Sequence, residues 1–317
     1  MGRSTGGVAA SKLSLGKRMG EAVKAGCRRL CQPILPVLPD ALTNRLPFLG
    51  RVCVSGPGNF RLRFLTCGPC GKDRIAIKLA RRGFWGYEGE TTRILLPLAQ
   101  RARGVIDIGA NTGLFALLAA QANPAGRVLA FEPVPFIFDM LQKNIRLNHA
   151  TNLTAIQVAV ADFCGETPFF VTHTSTGIPT DSSSCAGFRS DVEEVRLPTT
   201  TLDGYLARQP LAQLDLLKID AEATEASVVR GAQETLRRHR PFVICEILAN
   251  VDHGYLQETF KNLACRFYHI GSDGLAEREK LQGSLDVDAR NYLFVPAEKV
   301  EALTGLCRQV RLPIAAA

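Results

Sequence analysis

Gly104-Val105-Ile106-Asp107-Ile108-Gly109-Ala110-Asn111-Thr112-Gly113 is an apolar run that enters a glycine-bracketed turn, and an apolar helical pattern follows from Leu114 to Ala122. Strand, tight turn and helix in that order place the amide groups of the helix start around a ligand at the strand's carboxyl end. Gly109 and Gly113 remove side chains that would block a close backbone approach, and either can take positive φ. The spacing is Gly-x-x-x-Gly preceded by Asp-x, not the Gly-x-Gly-x-x-Gly of a dinucleotide fold. A pyrophosphate wants amides and no nearby anion, whereas Asp107 brings a carboxylate to the turn. A ligand with a cationic amino-acid end suits that charge. Glu132 ends the next apolar run, Val128-Leu129-Ala130-Phe131, where a doubly wound sheet places the carboxylate that grips ribose hydroxyls. Two carboxylates and a glycine turn suit S-adenosylmethionine better than a nicotinamide.

Outward from this stretch, strands and helices alternate as in a parallel α/β sheet. Strands are expected at 104–108, 127–131, 153–159, 214–219 and 241–247, and helices at 112–122, 135–147 and 224–238. Residues 165–172 read as an added strand. Residues 177–190, rich in Ser, Thr and Gly, read as a loop with the length of a substrate lid. Residues 266–270 and 291–295 form an expected antiparallel closing pair. Before the sheet, 52–54, 60–66 and 73–79 read as short strands of a β-rich cap, followed by a helix over 88–101. The expected organisation is a basic extension over 1–45, a cap and leading helix over 46–100, the ligand-binding domain over 101–300, and a tail over 301–317.

The chain has 317 residues, 46% of them hydrophobic, which supplies a sizeable core and excludes global disorder. The net charge of +8 raises the question of nucleic acid or membrane. Residues 1–30 hold seven basic residues against Glu21 alone, so about +2 remains for the rest. The basicity belongs to the extension, and the near-neutral body lacks the stripe of a nucleic-acid binder. The extension reads as a flexible or helical tail, with a peripheral membrane helix over 13–30 as the alternative. No run approaches a membrane span. Ten scattered cysteines, including Cys245 and Cys265 in apolar runs, suit a reducing, cytoplasmic compartment. Cys67-Gly68-Pro69-Cys70 has redox-type spacing, yet Gly71-Lys72-Asp73 and an alternating run follow it, favouring a hairpin turn.

The second dense stretch is Asp215-Leu216-Leu217-Lys218-Ile219-Asp220-Ala221-Glu222-Ala223-Thr224-Glu225. In a parallel sheet it brings Asp220 and Glu222 to the same edge as Gly109 and Glu132. Thr224 suits a helix N-cap and Glu225 the first helical turn. Lys218, inside a buried strand, needs a rim carboxylate as partner.

Together these segments resemble the FkbM-type family of S-adenosylmethionine-dependent methyltransferases. The matching stretches are residues 105–113, Phe131-Glu132-Pro133, 144–148, Ala159-Val160-Ala161-Asp162, Thr201-Leu202-Asp203, 215–225, Gly231-Ala232 and 240–246, within 88–296. The resemblance implies a Rossmann-like class I methyltransferase fold, doubly wound and mostly parallel with an antiparallel closing strand. It also implies methyl transfer to a hydroxyl of a sugar, glycan or small metabolite. By matching position, Asp107, Gly109, Asn111 and Gly113 hold the methionine end of S-adenosylmethionine, Glu132 the ribose and Asp162 the adenine amino group. Asp220, Glu222 and Glu246 are the candidate bases, and Glu88 sits where the family often has Glu. A divalent ion bridging Asp220, Glu222 and the acceptor is conceivable in oxygen chemistry but is not favoured. One departure stands out: Ala223 occupies a position where the family has glycine, which costs roughly 1 kcal/mol if φ is positive. That departure keeps open a non-catalytic binding domain on the same fold. A nucleic-acid methyltransferase is a lesser alternative, without the Asn/Asp-Pro-Pro-aromatic element it would carry. A nicotinamide oxidoreductase lacks its glycine fingerprint.

Overall fold

The computed structural model describes residues 50–68, 71–172, 177–178, 192–249, 251–286 and 289–315, all within one compact unit, Phe48–Ala317. The basic extension, Cys70 and the expected loop after Ile178 lie outside the described residues.

A nine-stranded sheet organises the unit. Its parallel half comprises β3 (Gly104–Ile108), β4 (Arg127–Phe131), β5 (Leu153–Ile156), β8 (Leu216–Ile219) and β9 (Phe242–Glu246). Strands outside it include β1 (Arg51–Ser55) and β2 (Arg61–Leu65), which precede it, and β6 (Gly165–Thr172) and β7 (Val192–Thr200), which come between β5 and β8 in the chain. The antiparallel end is β10 (Cys265–Gly271), β11 (Gly274–Arg278) and β12 (Asn291–Pro296), with the short β13 (Ile314–Ala315) at the edge. The order across the sheet is β13-β11-β10-β12-β9-β8-β3-β4-β5. From β3 the chain winds outward through β4 and β5, then returns to β8 on the other side. That reversal opens a crevice beyond the carboxyl ends of β3 and β8.

Alternation along each buried strand divides the core into two faces. Val105 and Leu216 face a cluster with α2 (Gly89–Ala99), α3 (Leu114–Ala122) and α9 (Val300–Val310). Ile106, Ile108, Leu217 and Ile219 face α5 (Leu202–Arg208), α6 (Glu225–Arg230), α7 (Gln233–His239) and α8 (Gly254–Asn262). The helix α3 is buried from Leu114 to Ala120 all round, as expected for a helix without a polar face.

The expected helix over 224–238 is two helices, α6 and α7. Gly231 stands at the junction between them, where a Cβ would lie 1.9 Å from the Ala161 carbonyl oxygen. Asp203 restarts the second one: its carboxylate accepts from the Glu234 and Thr235 amides at 2.9 and 2.8 Å. The expected strand over 73–79 is instead α1 (Arg74–Arg82). Its alternating pattern was also compatible with a helix, since Arg74, Lys78 and Arg82 are exposed at four-residue spacing. Asp73 decides between the two periods by accepting from the Ala76 amide at 3.0 Å as an N-cap. The segment before the sheet is therefore half helical.

The β1–β2 hairpin would expose one edge of β2, but α4 (Pro135–Asn148) covers it with two asparagines. Asn148 brackets Arg63, accepting from its amide at 2.8 Å and donating to its carbonyl at 2.6 Å. Asn144 accepts from the Leu65 amide at 2.9 Å and donates to the Thr112 carbonyl at 2.9 Å. These side chains satisfy backbone groups that no strand reaches. Strand β7, pairing antiparallel with β6 from Val192 to Thr199, and strand β11 were not anticipated. Among the described residues no helix is long and apolar enough to cross a membrane.

Candidate active site

The turn after β3 is built from left-handed residues: Gly109 at φ +78, Asn111 at +50 and Gly113 at +100. Gly109 is required sterically, since a Cβ there would lie 1.8 Å from the Asp220 carbonyl oxygen; at Gly113 it would meet Leu141 at 2.5 Å. Asn111 tolerates its conformation by accepting from the Thr112 amide at 2.8 Å through its own side chain. The Gly109 and Ala110 amides both donate to the Phe131 carbonyl, at 3.0 and 2.9 Å.

Glu132 clamps this turn. Its Oε2 accepts from the Asn111 amide at 3.0 Å and its Oε1 from the Val134 amide at 2.9 Å. Burial raises its carboxyl to about 7, against the pull of those two amides. A carboxylate has about four acceptor positions, so two remain for hydroxyls of a ligand in the cleft.

The second turn repeats the device. Glu225, buried at the start of α6, accepts from the Ala221 and Ala223 amides at 3.0 and 3.2 Å, and burial raises it to about 7. Thr224 does not cap the helix through its side chain; its hydroxyl donates to the Ala221 carbonyl at 2.8 Å. Glu222 and Ala223 take φ of +49 and +76. The alanine thus adopts the conformation for which a glycine was expected.

Lys218 is 2% exposed and its ammonium lies 2.7 Å from Asp220, over the Phe115 ring at 4.5 Å. Burial works against that charge, yet Asp220, Asp107 and Glu88 overcome it and hold the group above its ordinary range. A buried ammonium without such partners would not persist.

The cleft at the sheet reversal encloses about 900 Å³ of space, counting the open solvent at its mouth. Gly109, Asn111, Glu132, Lys218, Asp220 and Glu222 line it, together with Tyr87 and residues 158–161. The structure therefore brings the glycine turn, the strand-end acid and two expected base candidates to one wall. Glu246, the third candidate, has an oxygen within 4.8 Å of oxygens of Asp220 and Glu222 but does not line the cleft.

Three expected ligand residues stand elsewhere. Gly113 is not on the wall; it supports the turn from behind, against Leu141. Asp107 is buried in β3, in register with Lys218, and neither of its oxygens makes a hydrogen bond of ordinary geometry. Burial raises it to about 6, with Lys218 opposing. It is not among the residues lining the cleft, and it counters the ammonium of Lys218. Asp162 lies off the wall too, accepting from Ser227 at 2.8 Å and from Arg230 at 2.9 Å. Arg230 holds it below the usual carboxylate range. These bonds tie the loop after β5 to α6.

Two residues of the site were underrated in the sequence. Tyr87 lines the cleft, and burial together with Glu88 raises its hydroxyl well above the ordinary range. Glu88 is buried at φ +43 and accepts from Asn291 at 2.9 Å. Asn291 pairs in register with Glu246, so Glu88 enters the acidic rim from the far side. Its signals in the sequence were an acid placed at a helix start and its match to a position where the family often has Glu.

The sheet order, its antiparallel closing strand and the cleft at its reversal define a class I methyltransferase fold. A protein-family profile described as "Methyltransferase FkbM domain" matches residues 107–267, and the chain belongs to that family. Methyltransferase sdnD of Sordaria araneosa is 30% identical over 156 residues, covering 41% of this chain and 60% of the relative. The 31-O-demethyl-FK506 methyltransferase FkbM of Streptomyces tacrolimicus is 28% identical over 162 residues, covering 41% and 59%. The 2-O-methyltransferase NoeI of Sinorhizobium fredii is 25% identical over 150 residues, covering 43% and 60%. The chain thus spans about three-fifths of the length of these curated relatives. A solved methyltransferase FkbM from Methylobacillus flagellatus KT aligns with a TM-score of 0.41 at 15% identity, covering 61% of this chain and 43% of that one.

Proposed function

We propose that this protein transfers a methyl group from S-adenosylmethionine to a hydroxyl oxygen of a sugar, glycan or small metabolite. The observation that carries the reading is the cleft itself, with Glu132 clamping the glycine turn on one side and Asp220 and Glu222 facing it from the next strand. The donor set fits such a ligand: Glu132 keeps acceptor positions for ribose hydroxyls, and the acidic wall suits a cationic centre. Two relatives carry names that specify an oxygen-directed methyltransferase.

When bound, S-adenosylmethionine supplies an electrophilic sulfonium methyl. The residues then have three tasks. Glu132 and the 109–111 turn fix the donor's position, and in-line orientation alone is worth several kcal/mol. Asp220, held by Lys218, and Glu222 orient the acceptor hydroxyl. One of these carboxylates would take the proton of the acceptor hydroxyl as its oxygen receives the methyl group that the bound donor would supply. Glu246 backs the pair from outside the cleft wall.

Calorimetric titration with S-adenosylhomocysteine tests the reading. Wild type is expected to bind, and Glu132→Ala to bind at least about tenfold more weakly, the loss of charged hydrogen bonds. Glu132→Gln, which keeps one acceptor oxygen, serves if the alanine variant does not fold. A folded wild-type chain that binds neither this ligand nor S-adenosylmethionine would overturn the proposal. Transfer of labelled methyl to hydroxylated acceptors then identifies the substrate.

A further inference from the structure

The cleft has neighbours. Tyr87 lines it and also lines a second depression, whose other walls include Lys78 and Arg82 of α1 and Glu90 of α2. Trp85 and Glu90 in turn line both that depression and a larger groove, which lies between the β1–β2 turn and the chain entering β13. Three hollows therefore adjoin one another at two aromatic residues, Tyr87 and Trp85.

Trp85 is the chain's single tryptophan and is 41% exposed, yet it is held in place. Its ring stands edge-on to the buried Phe84, with centroids 4.9 Å apart, and the Arg93 guanidinium lies 5.5 Å from its centroid. The loop that carries both aromatics presses onto α1 at Gly86, where a Cβ would lie 2.6 Å from the Arg82 Cβ. A single exposed aromatic is ordinary on a protein surface. One that is fixed, and shared by two adjoining hollows, is a preorganised platform.

The walls select what lies on it. Among the described residues, the two outer hollows carry four bases, Lys78, Arg82, Arg93 and Arg311, and as many acids. A polyanion or a polycation gains nothing net from such walls, and a lipid chain would strip water from their charges. A neutral, polyhydroxylated chain meets both demands. Its hydroxyls donate to the acids and accept from the bases, and from the amides of Asn59 and Gln100. The C–H face of a sugar ring lies on the electron-rich face of the indole.

We propose that the groove at Trp85 is a subsite for a neutral oligosaccharide whose reactive sugar enters the cleft past Tyr87. The role of the cleft here rests on the methyl-transfer reading, and the acceptor narrows from any hydroxylated metabolite to an extended glycan. Trp85 holds sugars remote from the reacting hydroxyl, so it serves acceptor binding rather than the chemical step.

Trp85 is its own reporter, because all tryptophan emission comes from it. Cello-, malto-, chito- and mannohexaose are titrated into the full chain. At least one is expected to change the emission saturably, with a dissociation constant below about 1 mM. Its monosaccharide should bind at least about tenfold more weakly, since one ring cannot span the hollows. Trp85→Ala, read by calorimetry, should weaken the hexasaccharide about tenfold or more. With labelled S-adenosylmethionine, the same variant should raise the KM for that hexasaccharide far more than it lowers kcat. No saturable response to any of the four up to about 10 mM, or equal affinity for hexasaccharide and monosaccharide, overturns the proposal. S-adenosylhomocysteine is titrated into the same wild-type sample. If it binds and no hexasaccharide changes the emission, the subsite fails while methyl transfer stands. If a hexasaccharide binds and neither S-adenosylhomocysteine nor S-adenosylmethionine does, the sugar site stands and the methyl-transfer reading fails.

Discussion

Gly109→Ala probes the joint between the two halves of the site. The new Cβ would lie 1.8 Å from the Asp220 carbonyl oxygen, at a φ of +78. Reaching an ordinary separation requires the strand ends to part by about 1.2 Å, which overpacks the joint at about 1–3 kcal/mol. The left-handed conformation adds about 1–2 kcal/mol for alanine. Displacing Asp220 also strains its amide bond to the Ile108 carbonyl, 3.0 Å in the native chain, for about 1 kcal/mol. The total is about 3–6 kcal/mol, which at this size lowers the melting temperature by roughly 5–11 °C. Gly58→Ala is the matched control, because Gly58 has φ +63 and nothing within 4 Å of the added carbon. It carries the conformational cost alone, a shift of about 2–4 °C. Differential scanning calorimetry on both variants decides. If Gly109→Ala melts no lower than Gly58→Ala, the close approach of the turn to Asp220 is wrong and the site geometry with it.

Two further outcomes follow from the charges. Lys218→Met leaves the carboxylates around it without their buried cation, and breaking such a pair costs about 3–5 kcal/mol. The loss should be larger at pH 8 than at pH 5, where protons substitute for the ammonium; a loss equal at both values would contradict the pairing. In the unliganded wild type, Asp107 is raised to about 6 and Glu132 and Glu225 to about 7. Between their ordinary values and these, the folded chain binds more protons than the unfolded one, so stability falls as pH rises through about 4–7. Urea unfolding should therefore show a decline of a few kcal/mol from pH 5 to pH 8, and a flat or rising profile would refute it.

The elements with strong, unshared signals were legible in sequence. The strands β3, β4, β8 and β9 are mostly apolar runs ending in Gly109, Glu132, Asp220 and Glu246, and each end reaches the rim. Lys218 announced a partner through its burial. Where one pattern fitted two periods, as over residues 73–79, a single capping aspartate decided, and its weight shows only once the cap is formed. Asp107 and Asp162 lie off the cleft wall, and no local pattern carries that. Sequence order gives the end of the sheet a residue occupies, but a strand residue's face and a loop residue's ion-pair partner are tertiary facts. Arg230, 68 positions away, claims Asp162, and no local pattern announces that. Glu88 and Asn291 meet across 203 positions and were invisible for the same reason.

The amide of Asn144 grips the Thr112 carbonyl with its nitrogen and the Leu65 amide with its oxygen. One rigid planar group thus joins the glycine turn to the hairpin, and neither can shift without dragging or breaking the other. Ordering of the turn by an incoming ligand is consequently felt as stiffness at β2, a strand that contributes nothing to the cleft wall. The hairpin is then the readable dial of the site: its backbone protection reports, from the outer surface, whether the turn within is filled.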